Sequence, residues 1–149
     1  MPSRRRSRER ALQVLFNWDN RKGDIWRAAD DFYETLHSEE DDPSRLERDG
    51  FMEELVLGAT TRGEEIDKLI VSHSSNWRIE RMPSVDRNVL RLATFEMLEA
   101  KLPIPVIIDE ALELVRRFSG DESVSFVNGV LDAIRRELFA DAERGKNAV

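Results

Sequence analysis

The stretch Ser84–Leu98, SVDRNVLRLATFEML, decides the fold. Wound at 3.6 residues per turn, its Val89, Leu90, Leu92, Ala93, Phe95, Met97 and Leu98 cover most of the helix circumference. A helix that is apolar nearly all round leaves no face for water, so it belongs in the middle of a bundle. Pro83 and Ser84 supply a helix start. The two prolines of KLPIPV (101–106) cannot continue it, because proline removes a backbone N–H and restricts the residue before it. The spacing therefore predicts a central helix over about 85–100, followed by a short rigid connector.

Toward the C-terminus, Ile107, Ala111, Leu114, Val115 and Phe118 recur at helical spacing, as do Val127, Val130, Leu131, Ile134 and Leu138. Gly120 separates the two runs, and the DES that follows it offers N-caps. The tail ADAERGKNAV (140–149) has no core residue and is expected to fray. Toward the N-terminus, Ile66, Leu69 and Ile70 line one helix, and Met52, Leu55, Val56 and Ala59 another. Ser44 with Glu47 reads as the capping box that opens the latter, and Thr61 with Glu64 repeats the signature at a break between the two. HSEEDDPS (37–44) is acidic, lacks an apolar period and reads as a loop with no assigned role. Ile25, Ala29, Phe32 and Leu36 form the stripe of a second helix, which Gly23 and Asp24 separate from the first. That first helix, about Arg4 to Asn20, buries Ala11, Leu12, Val14, Leu15 and Trp18. No alternating run bounded by hairpin dipeptides occurs, and no repeat of solenoid period. The expectation is all-α, a bundle of about seven helices forming one domain over 1–149.

Little here suggests catalysis. Cysteine is absent, which excludes disulfides, thiol nucleophiles and thiolate metal sites. The two histidines, His37 and His73, sit in or beside predicted loops without triad partners. Glu110 and Glu113 have helical spacing, but no histidine follows to complete a di-metal motif, so they read as a solvated face. There is no glycine-rich phosphate loop. Cofactors and metals are therefore not expected. No apolar run approaches a membrane span, so the reading is soluble and cytoplasmic.

Charge is placed unevenly. The chain carries a formal −7, yet residues 1–10 hold five arginines against one glutamate, which leaves −11 for the rest. Arg4, Arg5, Arg6 and Arg8 crowd the first turns of a helix, where the macrodipole already presents positive charge. Cations beside orphan backbone N–H groups suit a phosphate backbone, and a solvated terminus is the alternative. Two further residues stand out. Gly129 interrupts a strongly periodic helix, read as close helix packing in preference to a ligand contact. Phe126 precedes it, either as core or as an aromatic platform for a base.

Three segments resemble the NusB family of bacterial antitermination factors: RRRSRERALQVLFNWD (4–19), SVDRNVLRLATFEML (84–98) and PVIIDEALELVRRFSGDESVSFVNGVLD (105–132). FVNGVLD after IDEALELV is the specific part. The resemblance implies two packed three-helix sub-bundles without catalysis. It implies binding of single-stranded boxA RNA of ribosomal operons, jointly with the small-subunit ribosomal protein NusE. It also implies assembly into the RNA polymerase antitermination complex, and some members resemble a homodimer when unbound. By motif match, Arg4, Arg5, Arg6, Arg8, Glu122, Ser125 and Phe126 would meet RNA. Phe16 and Asp86 would meet NusE, and Asp86→Lys would repel that basic partner without disturbing the fold. Residues 19–51 match the family poorly. Phe16 replaces a frequent tyrosine, and Ser125 stands where some members carry lysine.

Overall fold

A computed structural model describes residues 2–39, 47–75 and 77–147, with side chains described as far as residue 140. The described residues form seven α-helices and no strand: α1 (Arg4–Arg21), α2 (Ile25–Glu39), α3 (Gly50–Thr61), α4 (Gly63–Ser72), α5 (Ser84–Glu99), α6 (Ile104–Phe118) and α7 (Asp121–Asn147), with a short 3₁₀ turn at Ile79–Arg81. Helices α1, α2 and α3 pack on one another, as do α5, α6 and α7, giving two three-helix units. Helix α5 joins them, packing against α1, α3, α4, α6 and α7. Its residues Asp86 and Asn88 to Met97 are all buried, so the near-continuous apolar circumference has neighbours on every side.

Several boundaries follow local chemistry. Ser3 caps α1, its Oγ accepting from the Arg6 N–H at 3.1 Å. Lys22 ends that helix at positive φ, and Asp24 Oδ1 accepts from the Trp26 N–H at 3.1 Å as α2 begins. The start of α3 does not follow the expected capping box. Ser44, with most of the acidic loop, lies outside the described residues, and α3 begins at Gly50 with Asp49 as its cap. The buried Asp49 carboxylate accepts from the Met52 N–H at 3.0 Å, from Ser7 Oγ and from Arg10 Nη1 at 3.2 Å. The Asp49 N–H donates to the Tyr33 hydroxyl at 2.8 Å. Burial first, together with Glu53, pushes the Tyr33 phenol up to about 12, which keeps it a neutral donor and acceptor. Tertiary partners on α1 and α2 thus choose where α3 starts.

Three other expectations need correction. Arg62, not Thr61, stands at the break between α3 and α4, and no side chain caps α4. The C-terminal tail continues as helix to Asn147, past a kink at Phe139. Gly129 is exposed on α7, and a Cβ there would meet nothing within 4 Å. Close packing instead occurs at Gly58 on α3, where a Cβ would fall 2.1 Å from the Phe95 ring of α5.

Candidate nucleic-acid interface

The four N-terminal arginines do not form one collar. Helix geometry turns them 100° apart, and each meets a different neighbour. Arg8 points inward, 4% exposed, and donates to Glu96 of α5 through Nε (2.9 Å) and Nη2 (2.8 Å). That fork holds its proton firmly, Glu96 raising the guanidinium pKa against the opposing effect of burial. Arg8 is therefore a structural residue clamping α1 to α5, which corrects its placement among RNA contacts. Arg5 stays exposed but pairs bidentately with Glu110 of α6 at 3.1 and 3.2 Å. The same bond draws the Glu110 carboxyl below its usual range. Glu110 and Glu113 are thus partners of arginine, Glu113 pairing with Arg116 on its own helix.

Two arginines keep their charge available. The Arg4 guanidinium lies 4.0 Å from the centre of the Phe51 ring, without an ion pair among the described residues. Arg6 is exposed and likewise unpaired among them, its backbone N–H alone being taken by Ser3.

Helix α6 links this end of α1 to α7. Arg5 meets Glu110 and Glu9 meets Arg117, so α6 runs beside the first turns of α1. Gly120, at φ 157°, turns the chain into α7, whose first two turns carry Glu122, Ser125 and Phe126. Glu122 and Ser125 are exposed. Phe126 is half-buried against the core, and its ring meets Trp77 at a centroid distance of 6.1 Å and an interplanar angle of 48°. Trp77 lies in the connection between α4 and the 3₁₀ turn. The available signal was a tryptophan standing outside any apolar period, flanked by polar residues.

A second surface takes in Arg6 itself. Phe16 is 39% exposed and Phe118 46%, and with Val85, Leu36 and Phe32 they line a groove of about 500 Å³ rimmed by Arg6, Glu9 and Arg10. Phe118 is thus a surface residue, correcting its expected place in the core. Its position at the last turn of α6 leaves no helix to cover it. Asp86 does not reach this surface. It is 2% exposed, and its Oδ1 finds no hydrogen-bond donor. Asp86 is buried at the first turn of α5, where the helix dipole favours an acid. Its expected surface ion pair with a partner is not available in this arrangement.

Among the described residues, no group of histidines and acids could hold a metal ion, and no helix is long and apolar enough to cross a membrane.

A family model described as the NusB family matches residues 5–136. The transcription antitermination protein NusB of Solibacter usitatus is 55% identical over 138 residues, spanning 93% of this chain and 92% of its own length. That of Koribacter versatilis is 49% identical over 147 residues, spanning 98% and 96%. Among solved structures, T. maritima NusB superposes with a TM-score of 0.75 at 33% identity, over 91% of this chain and 92% of its own. A crystal structure of antitermination factors NusB and NusE in complex with dsRNA matches with a TM-score of 0.74 at 29% identity, over 90% and 96%. With matches of this identity and coverage and the same helical architecture, the chain belongs to the NusB family.

Proposed function

We propose that this chain is a non-enzymatic transcription antitermination factor. It binds boxA RNA of ribosomal operons together with the ribosomal protein NusE, and the pair joins the RNA polymerase antitermination complex in the cytoplasm. The observation that carries the RNA reading is the set of available side chains at the starts of α1 and α7, the helices that flank α6. Arg4 and Arg6 on α1 have no ion pair among the described residues, and Phe126 on α7 is half-buried. Arginine guanidinium groups supply phosphate affinity and salt dependence. An aromatic at the far end offers a stacking face for an unpaired base. Arg5 contributes after exchanging Glu110 for phosphate, while Glu122 and Ser125 lie beside the path.

The groove of Phe16 and Phe118 is the proposed seat of NusE, since it offers apolar area at the centre and charge at the rim. The net charge of −7 favours encounter with a basic ribosomal protein. Left uncovered, the same groove would let two copies of the chain pair in the absence of NusE. RNA and NusE then bind adjacent surfaces that share Arg6, so each strengthens the other's binding.

The test is a titration with a short boxA RNA, single-stranded and as a duplex, at two salt concentrations, with and without NusE. The expected result is salt-sensitive binding of the single strand that tightens when NusE is present. Absence of binding in every condition would remove the RNA reading and leave the fold.

A further inference from the structure

The connection between α4 and α5 carries a second basic and aromatic surface. Trp77 is 51% exposed, the most exposed large hydrophobic side chain among the described residues. With Ser75, Arg78 and Arg81 it lines an open cleft of about 800 Å³. Arg78 and Arg81 are both exposed and have no ion pair among the described residues, in a protein whose other surface arginines are mostly matched to acids. Arg78 is the extended residue that opens the 3₁₀ turn and Arg81 is the last residue of it, and both line the same cleft.

The segment is braced from behind. The Trp77 N–H donates to Ser74 O at 3.2 Å, and the buried Ser74 hydroxyl donates to Val71 O at 3.0 Å. Arg87 Nη1 donates to Met82 O at 3.0 Å, and the Met82 side chain is buried. The Trp77 ring meets the Phe126 ring in a tilted contact and stays half exposed. The cleft thus sets a half-exposed tryptophan beside two arginines without ion pairs among the described residues. It has the composition of a single-stranded nucleic-acid site, with a stacking platform beside phosphate ligands.

We propose that the RNA path of this protein continues past Phe126 onto this cleft. Trp77 stacks one further base, and Arg78 and Arg81 hold the adjoining phosphates. The proposal rests on the RNA-binding function given above and extends its footprint to a second helix connection. Glu80, between the two arginines in sequence, is exposed and does not line the cleft.

The experiment titrates a fluorescein-labelled single-stranded boxA RNA, long enough to run beyond Phe126, into the full chain with NusE at several salt concentrations. The variants are Trp77→Ala, Trp77→Phe, the double Arg78→Gln/Arg81→Gln, and Arg6→Ala as a reference. Trp77→Ala is expected to weaken binding roughly five- to a hundredfold without changing the salt slope, since stacking releases no counterions. Trp77→Phe restores most of the affinity, and RNA-dependent quenching of tryptophan emission disappears in it. The arginine double variant flattens the salt slope by about 1.4, at roughly 0.7 per phosphate on a single strand. Wild-type binding that Arg6→Ala weakens and Trp77→Ala leaves unchanged would overturn this proposal alone. Loss of NusE binding in Trp77→Ala, with RNA affinity intact, would overturn it in favour of a protein-binding cleft. No RNA binding by the wild-type chain would overturn both readings. Thermal melts of the Trp77 variants separate these outcomes from misfolding, because the ring is half in solvent.

Discussion

Arg8 of α1 and Glu96 of α5 grip one another through two parallel hydrogen bonds, with both side chains almost wholly out of water. Removing one member of such a pair leaves the other charge buried and unmatched, which costs about 3–5 kcal/mol. Arg8→Ala is therefore expected to lower unfolding stability by about that amount in urea titrations. The double variant Arg8→Met/Glu96→Leu should recover most of it, because an apolar pair of similar volume removes the charge on both sides. Arg6→Ala, on the solvent side of the same turn, should stay within about 0.5 kcal/mol of the wild type. Equal stability of Arg8→Ala and wild type would contradict the clamp.

Acid should loosen the contact between α1 and α5 through Asp19. Its carboxylate accepts from Arg87 and from Asn88 Nδ2 at 3.1 Å, and Arg91 Nη1 lies 3.2 Å away. Burial pushes this carboxyl up, but the Arg87 hydrogen bond, the Arg91 charge and the Asn88 amide outweigh it, so its pKa lies below the ordinary 3.8. A pKa depressed in the folded state gives stability that is fully present above the unfolded value and is lost as pH falls through the folded one. Asp19→Asn should cost about 3 kcal/mol at pH 7. The gap from wild type should narrow as pH drops below about 3.8. Urea titrations across that range check this, and a gap independent of pH would contradict it.

Gly58 and Gly129 should respond in opposite directions. Gly58→Ala pushes a methyl into the Phe95 ring, which α5 holds in the core, and is expected to destabilise by about 1–3 kcal/mol. Gly129→Ala meets nothing and restores helix propensity, so it should stabilise by about 0.5–1 kcal/mol. Differential scanning calorimetry would show Tm moving down for the first and up for the second. A fall for Gly129→Ala would mean that its helix face is occupied.

Phe16→Asp and Phe118→Asp should abolish NusE binding, read by co-purification or calorimetry, while leaving the melting curve close to wild type, since both rings already face solvent. Asp86→Lys should behave differently from the expectation drawn from family resemblance. A lysine at a position 2% exposed must be buried, so the variant is expected to lose stability outright. A well-folded Asp86→Lys that fails only in partner binding would show that the first turn of α5 opens to the surface.

The helical layout was legible because its signal is local. The apolar circumference of Val89 to Met97 announces a central helix whatever surrounds it, and the prolines of 101–106 end it by their own chemistry. The stripe of α6 was equally plain, yet it could not say that Phe118 has no neighbour to cover it. The candidate site was legible in part. Arg4, Arg6, Glu122, Ser125 and Phe126 sit at or near the surface, but nothing in RRRSRER distinguishes Arg8 from the other four arginines. Trp77 escaped notice because periodicity identifies residues that belong to a stripe and is silent about one that stands alone.

The sequence by itself determined the all-α class, the order and approximate extent of the helices, and α5 as their centre. These follow from backbone hydrogen bonding four residues apart and from a 3.6-residue apolar period, both properties of neighbouring residues. Only the tertiary structure decided which charges are spent and which are free. Glu96, Glu110 and Asp49 come from helices far away in the chain to meet Arg8, Arg5 and Arg10, and Asp49 thereby starts α3. The same packing closed over Asp86, set Phe95 against Gly58, and left Arg4, Arg6 and Trp77 facing water. A residue's place on its own helix is written in local spacing. What that face meets depends on how seven helices fill one volume, and that is a property of the whole fold.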